Sequence, residues 1–369
     1  MINSLRISGY RGFSHFEMSN LGRINLLVGR NNSGKTSILE ALHLLESGAE
    51  LAALWRILLR RGEQPIIEQV PGRPLQQEVD ISHLFEGHEI LVGSRISIST
   101  TNKSPDRQIS YVIEEVSAKD NPVLFAQLGN EEPSGTPLGL RIHIPGANIQ
   151  PIPLASGTAI RQNIYQLASN LVRAQNLNPR PVQYIANESL SMAEMLQLWN
   201  SIVLTPEEDR VVQALQAIDP DIERLAAVGG VNFFAGQRAG FAVRVRGSEK
   251  RIPIGSFGDG VWRIVALAAA ISRAKDGLLL IDEIDTGLHH SVMEAMWRMI
   301  ENASSAFNVQ VFATTHSYDC VHSLASLCNN PNNSDCSVSI QRIEPNRDKA
   351  IAFTDAQIQM IAERDIEVR

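Results

Sequence analysis

The chain has 369 residues, 44% hydrophobic and 20% charged, a globular balance that excludes a disordered or fibrous polymer. Its 33 Lys and Arg stand against 40 Asp and Glu, a formal net charge of −7. No global positive field therefore exists to hold nucleic acid, and any such contact needs a local basic patch.

The opening MINSLRISGYRGF lacks the apolar run of a signal peptide. Leu5 to Phe16 alternates apolar and polar residues around a Gly-Tyr-Arg-Gly turn, which predicts a strand pair. Ile24 to Val28 is a short apolar run, a Gly-rich turn follows, and Ile38, Leu39, Leu42 and Leu45 then recur at helical spacing. That order is strand, loop, helix. Residues 49–61 continue as a helix, and the Gln-, Pro- and Glu-rich stretch 62–80 reads as a loop. Glu89 to Val116 is strand-like, 117–137 is turn-rich, and LGLRIHIPG from Leu138 alternates again. Residues 191–226 read as helices, with Ser191 capping the first and Thr205 and Pro206 opening the next. Strands are expected at 228–236 and 240–247, then a helix, a buried strand in LLLIDEID, a helix, and a buried strand in VQVFATTHS. After an Asn-rich surface turn at 329–336, short strands in SVSIQRI and KAIAF precede a closing helix at 355–365. The 3 cysteines, Cys320, Cys328 and Cys336, are odd in number and form no CxxC pair. They provide neither a disulfide framework nor a zinc ribbon, and a reducing, cytoplasmic setting is expected. No stretch reaches the ~18 consecutive apolar residues of a membrane-spanning helix.

Four motifs carry chemistry. Gly29-Arg30-Asn31-Asn32-Ser33-Gly34-Lys35-Thr36 fits G-x-x-x-x-G-K-[ST] between a strand and a helix. In that setting backbone N–H groups converge on phosphate oxygens, Lys35 adds a point charge, and the Thr36 hydroxyl suits Mg²⁺. The run Leu278 to Ile281 ends in Asp282 and Glu283, acids that belong at a strand's C-terminal end because burying them is costly. Asp282 suits the metal shell, and Glu283 suits the orientation and polarisation of an attacking water. Thr314-Thr315-His316-Ser317 places a histidine at the tip of a neighbouring strand, about 30 residues past the acids. Gly255-Ser256-Phe257-Gly258-Asp259-Gly260 precedes an apolar helix and forms a second anion-seeking loop. It reads either as a plain glycine-rich cap or as a loop acting in trans across a dimer.

Together GRNNSGKT, SFGDG, LLLIDEID with Thr286-Gly287-Leu288-His289, and ATTHS resemble the ABC-type ATPases of the SMC, RecF and OLD group. The chain is most similar to prokaryotic AAA-type ATPases of the AAA_15 and AAA_21 kind that are grouped with the OLD nucleases. The resemblance runs from LRISGYRGF to the DIEVR ending. It implies an α/β P-loop NTPase with an ABC-type ATPase head and a mostly parallel sheet. The head would be a single domain over 1–369, formed by 1–61 and 227–369, with an inserted antiparallel β region at about 89–150 and a helical segment at about 185–226. It implies ATP and Mg²⁺ as cofactors. Nucleotide contacts would come from Arg11, Gly29, Asn31, Asn32, Ser33, Gly34, Lys35, Thr36, Ser37, Ser256, Gly258, Asp259, Gly260 and Asp285. Thr36 and Asp282 would bind the metal, and Glu283, His316 and Lys35 would serve catalysis.

The signature loop departs from the LSGGQ form. The glutamine loop has no assigned position, with Gln64, Gln69, Gln76 and Gln77 all in the right broad region. No acid pair after His316 has the spacing of a TOPRIM nuclease, and no heptad stretch is long enough for an SMC arm. The expected function is ATP binding and hydrolysis with homodimerisation around ATP, driving a DNA-acting or anti-phage effector. A separately encoded TOPRIM-type nuclease is the partner the resemblance implies. One alternative is a RecF-like repair ATPase that binds DNA itself. Another is an ATP-binding scaffold with negligible turnover, against which the intact Glu283 argues. Trp55, Trp199 and Trp297 read as core, and His289 and His290 as turn residues. Arg56, Arg60, Arg61 and Arg73 read as a solvated helix face or a contact for nucleic acid or a partner.

Overall fold

The apolar runs read from the sequence come together as one parallel sheet. Its strand order is Val182–Ile185, Leu278–Ile281, Gln310–Thr314, Ile24–Val28, Val338–Arg342 and Ile351–Ala352. Every pairing is parallel except the last. These features belong to a computed structural model that describes residues 1–64, 77–102, 106–128, 136–175, 177, 179–187, 191–216, 219–228, 240–328 and 337–364. The three middle strands are buried at every position, which explains why they read as unbroken apolar runs. Alternate residues feed two cores. Leu26, Leu279, Ile281, Val311 and Ala313 pack with helices Asp259–Arg273 and His290–Ala306. Leu27, Leu278, Leu280 and Phe312 face the other way, toward helix Lys35–Glu46.

That helix is enclosed. A second, antiparallel sheet covers it, in the order Phe13–Met18, Ile2–Tyr10, Arg95–Asn102, Arg107–Glu115, Leu138–His143 and Ile152–Pro153. Of the helix residues only Thr36 is not buried, so it lacks the polar face of a surface helix. The layers are therefore sheet, helix, sheet, helices: an α/β P-loop NTPase fold with an ABC-type arrangement.

The structure departs from the sequence reading in several places. The antiparallel β region after residue 89 joins the N-terminal hairpin, because Arg95–Asn102 pairs with Ile2–Tyr10. Val182–Ile185, read as neither strand nor sheet member, is the edge strand beside the acid-pair strand. Helix Gln162–Arg173 was likewise unassigned. The segment 191–226 does hold helices Met192–Asn200 and Pro206–Gln216, the first with a Ser191–Glu194 capping box. It ends, however, in strand Ile222–Ala227, paired with Phe241–Val245. Ile222 and Leu225 are three apart and both buried, which imitates a helical period. A bulge between Ile222 and Arg224 puts both on one face of the strand instead. The expected strand at 228–236, the turn at 329–336 and the DIEVR ending fall largely or wholly outside the described residues, as do Gln69, Gln76 and Arg73.

Candidate active site

The loop between Ile24–Val28 and Lys35–Glu46 has a shape that only certain residues allow. Gly29 and Gly34 have φ values of 143° and 92°. A Cβ on Gly29 would lie 2.3 Å from the Ile343 carbonyl oxygen, and one on Gly34 would lie 2.4 Å from the Phe13 ring. Asn31 and Asn32 are exposed at the loop's crest. Lys35 Nζ donates to Gly29 O at 2.7 Å and Arg30 O at 2.9 Å. Burial lowers the pKa of this ammonium, while the Asp282 and Glu283 carboxylates pull it back up. Ser33 Oγ is buried with no hydrogen-bond partner, an orphaned group inside a loop built for phosphate.

Three parallel strands end together beside this loop. Asp282 N–H donates to Ile185 O at 2.8 Å. The Thr36 hydroxyl donates to Asp282 Oδ2 at 3.0 Å and Oδ1 at 3.1 Å. This joins the phosphate-loop helix to the acid strand. One hydroxyl and one carboxylate are the sparse donor set that suits Mg²⁺, which is usually held together with phosphate oxygens and water. No cluster of three His, Cys, Asp or Glu side chains able to hold a metal occurs among the described residues.

Thr314 fixes both acids. Its hydroxyl donates to Asp282 Oδ1 at 2.6 Å and accepts from the Glu283 N–H at 2.8 Å. Glu283 has φ 47°, a left-handed conformation that is strained for a side-chain-bearing residue. The Glu283 carboxylate oxygen Oε1 lies 3.8 Å from His316 Nδ1, and the two side chains are 36% and 50% exposed. Thr315 donates to Asp285 Oδ1 at 2.6 Å and so holds the turn after the acids.

Arg263, which the sequence reading did not single out, reaches into the same cluster. It is 6% exposed and donates to Ala186 O at 3.0 Å, Asp282 O at 3.1 Å and Glu283 O at 3.1 Å. Burial lowers its pKa, opposed by Asp285, Asp282 and Glu283. The available signal was a lone charge inside the apolar helix run VWRIVALAAAI. Ala186 and Asn187 follow the edge strand and emerge level with Asp282, and no glutamine stands there. Gln64 follows helix Leu51–Arg60 and Gln77 precedes strand Glu78–Asp80, so neither leaves the central sheet.

The second loop forms a short turn, Ile254–Phe257, and Gly258 with φ 83° then opens helix Asp259–Arg273. Ser256, Gly258 and Asp259 are exposed. A Cβ on Gly260 would lie 3.4 Å from Gly287 O, so the loop sits against the turn that follows the acids. Among the described residues, no hydrogen bond joins Ser256, Gly258 or Gly260 to Lys35, Thr36 or Asp282.

Arg11 is enclosed and held by carboxylates. The side chain is 7% exposed and pairs with Glu40 at 3.0 Å and Glu63 at 2.6 Å. Tyr10 OH and His83 O take further donors. Arg61 completes the network, bound to Glu40 at 2.8 Å and to Ser37 Oγ at 3.3 Å. A buried charge must be paired, and the Glu40 carboxylate on the enclosed helix requires these partners. Arg56 and Arg60 are exposed, Arg60 over the Tyr184 ring at 4.2 Å and Arg56 bonded to Ala52 O, as on a solvated helix face. His289 caps helix His290–Ala306, as a turn residue would.

A phosphate loop, an acid pair and a histidine gathered at the C-terminal edge of one parallel sheet define a P-loop NTPase of the ABC kind. Comparison with known families agrees. The "AAA ATPase domain" family model (AAA_15) matches residues 1–126, which contain the phosphate loop. An "AAA domain" model of a type IV toxin–antitoxin group (AAA_21) matches residues 187–319, which contain the second loop, the acids and His316. The two models thus match separate parts of the chain, one holding each half of the site. The chain is 26% identical over 349 residues to an "ATP/GTP phosphatase" of Helicobacter pylori, covering 88% of this chain and 87% of that one. It is 47% identical over 47 residues, 13% of each chain, to the "DNA replication and repair protein RecF" of Idiomarina loihiensis. A solved SMC head bound to the C-terminal winged-helix domain of ScpA aligns over 96% of this chain and 98% of its own, with TM-score 0.47 and 15% identity. No helix among the described residues is long and apolar enough to cross a membrane.

Proposed function

We propose that the chain binds ATP with Mg²⁺ and hydrolyses its γ-phosphate. The observation that carries this reading is the Thr36–Asp282 contact, with Glu283 and His316 beside it at the ends of adjacent strands. Loop N–H groups and Lys35 cradle the phosphates, and Ser33 Oγ supplies a further donor. Thr36 and Asp282 would hold Mg²⁺, which neutralises phosphate charge when bound. Glu283 orients and polarises the attacking water, and its reach to solvent leaves room for one. His316 lies where it meets the γ-phosphate or that water.

The exposed second loop supports action in trans. Two chains would close on two ATP molecules, each held by Lys35 of one chain and by Ser256 to Gly260 of its partner. The toxin–antitoxin family match and the RecF segment support an output to a DNA-acting or anti-phage effector, with a separately encoded TOPRIM-type nuclease as the candidate.

Phosphate release and ATP binding by the purified chain test the chemistry. Glu283→Gln is expected to keep ATP affinity and lose turnover by ~10²–10⁴. Lys35→Ala is expected to lose ATP binding. Near-normal turnover in Glu283→Gln refutes the assignment.

A further inference from the structure

A trough on the helical side of the molecule shares no residue with the candidate active site. Its volume is about 630 Å³, within the range of cavities that hold one small ligand. Helices Pro206–Gln216, Asp259–Arg273 and His290–Ala306 form its walls. Its lining on the last of these runs along one face from Ser291 to Ala306. At 1.5 Å per residue that face makes the trough about 22 Å long. Volume over length leaves a width of roughly 6 Å, whereas an α-helix with its side chains needs about 10–12 Å. The trough is therefore too narrow for a helix and wide enough for one extended chain.

Its floor is aliphatic and already packed. Ala268, Ile271 and Ala303 are at most 9% exposed, and Met299 is half-buried against the same core. Phe307 is the one aromatic in the lining, and it is 5% exposed. The Arg210 guanidinium lies over its ring, 4.6 Å from the centroid, so no open ring face is left for stacking. The lining charges are engaged differently. Arg298 pairs with Glu294, the one acid in the lining, at 2.6 Å. Arg210 is exposed and forms no ion pair among the described residues, and the acids at 207–209 before it do not line the trough. A guanidinium pinned over a buried ring at the end of an apolar trough is an anchor for one anionic head group.

We propose that this trough binds a free fatty acid, an unbranched aliphatic carboxylate, with its chain along His290–Ala306 and its carboxylate on Arg210. The width admits a single chain, the walls match its methylenes, and the covered Phe307 ring disfavours aromatic acids. Each methylene taken from water tightens binding by up to ~4-fold. The chain would span two helices, one opening at the second loop and the other capped by His289.

The test is calorimetric titration of the full chain, without nucleotide, with octanoate, decanoate and dodecanoate below their micelle concentrations. One chain per protein is expected, and dodecanoate should bind up to ~15-fold tighter than decanoate. Uncharged decanol should bind at least ~10-fold more weakly than decanoate, because a hydrogen bond to a charged group is lost. Arg210→Gln should bring decanoate to the decanol level and leave decanol unchanged. Ala295→Leu narrows the trough wall and should weaken dodecanoate by ~10-fold at a retained melting temperature. Should one variant unfold, the other carries the test. The proposal is overturned by absence of saturable binding, by detergent-like uptake of many chains, by decanol binding as tightly as decanoate, or by a folded variant that binds like the parent. The ATPase reading stands or falls separately, on Glu283→Gln.

Discussion

Thr314→Val isolates the support of the acid pair without touching a proposed ligand. The side chain keeps its size and loses one hydroxyl. That hydroxyl is fully buried, and it donates to a carboxylate while accepting a backbone N–H. A hydrogen bond to a charged group contributes about 1.5–3 kcal/mol and a neutral one about 0.5–1.5 kcal/mol, so together ~2–4 kcal/mol is lost. Unfolding entropy near 2.1 cal/mol/K per residue gives roughly 0.8 kcal/mol/K for this chain, hence a fall in Tm of ~3–5 °C in a two-state melt. Function should suffer more. The Glu283 N–H loses its acceptor, the strained φ loses a restraint, and the Asp282 carboxylate keeps only its Thr36 bond. Loss of such an outer support typically costs ~10–100-fold in activity. The assay is steady-state phosphate release beside a thermal melt, with Thr314→Ser as the rescue because it restores the hydroxyl. Turnover in Thr314→Val within twofold of the parent would refute the view that Thr314 positions the acids.

Other outcomes follow from the same geometry. With Glu283→Gln and ATP, light scattering should show a dimer that is absent without nucleotide. Ser256→Arg should prevent that dimer while leaving ATP binding intact, and identical behaviour with and without ATP would remove the trans site. Arg263→Met should lower kcat ~10-fold or more with little change in ATP affinity, because the guanidinium touches carbonyls of the acid strand and not the phosphate loop. An equal loss of affinity and turnover would point to a general structural role instead. Arg11→Met should lower Tm by leaving the buried Glu40 and the half-buried Glu63 carboxylates short of a partner, with ATP affinity retained once folded. A selective loss of ATP affinity would return Arg11 to the nucleotide.

Periodicity and spacing made several features legible before any coordinates. The phosphate loop, the acid pair and the ATTHS segment stood on runs whose type is set locally, by five or so apolar residues and the glycines beside them. The Ser191 cap and the helix opened by Pro206 were likewise local. The reading failed where a local signal had two meanings. Ile222 and Leu225 carried a helical spacing that a bulge turned into a strand face. Val182–Ile185 is too short and mixed to stand out alone, and becomes a strand because Leu278–Ile281 pairs with it. Arg11 and Arg61 looked available because a sequence cannot show which carboxylates an enclosed helix will bury beside them.

The sequence by itself determined the chemical inventory: a loop that must bend at Gly29 and Gly34, a lysine and hydroxyl after it, two acids at a strand end, a histidine at another. Those follow from backbone freedom and from the cost of burying charge, which act over a few residues. The tertiary structure decided which groups meet. Thr36 bonds Asp282 across 246 positions of chain, Thr314 links Asp282 to the Glu283 N–H, and Arg263 binds carbonyls from two strands. Only parallel strands ending at one level bring these atoms within hydrogen-bond reach. That register comes from packing both faces of the sheet at once, a long-range condition that no local window of residues contains.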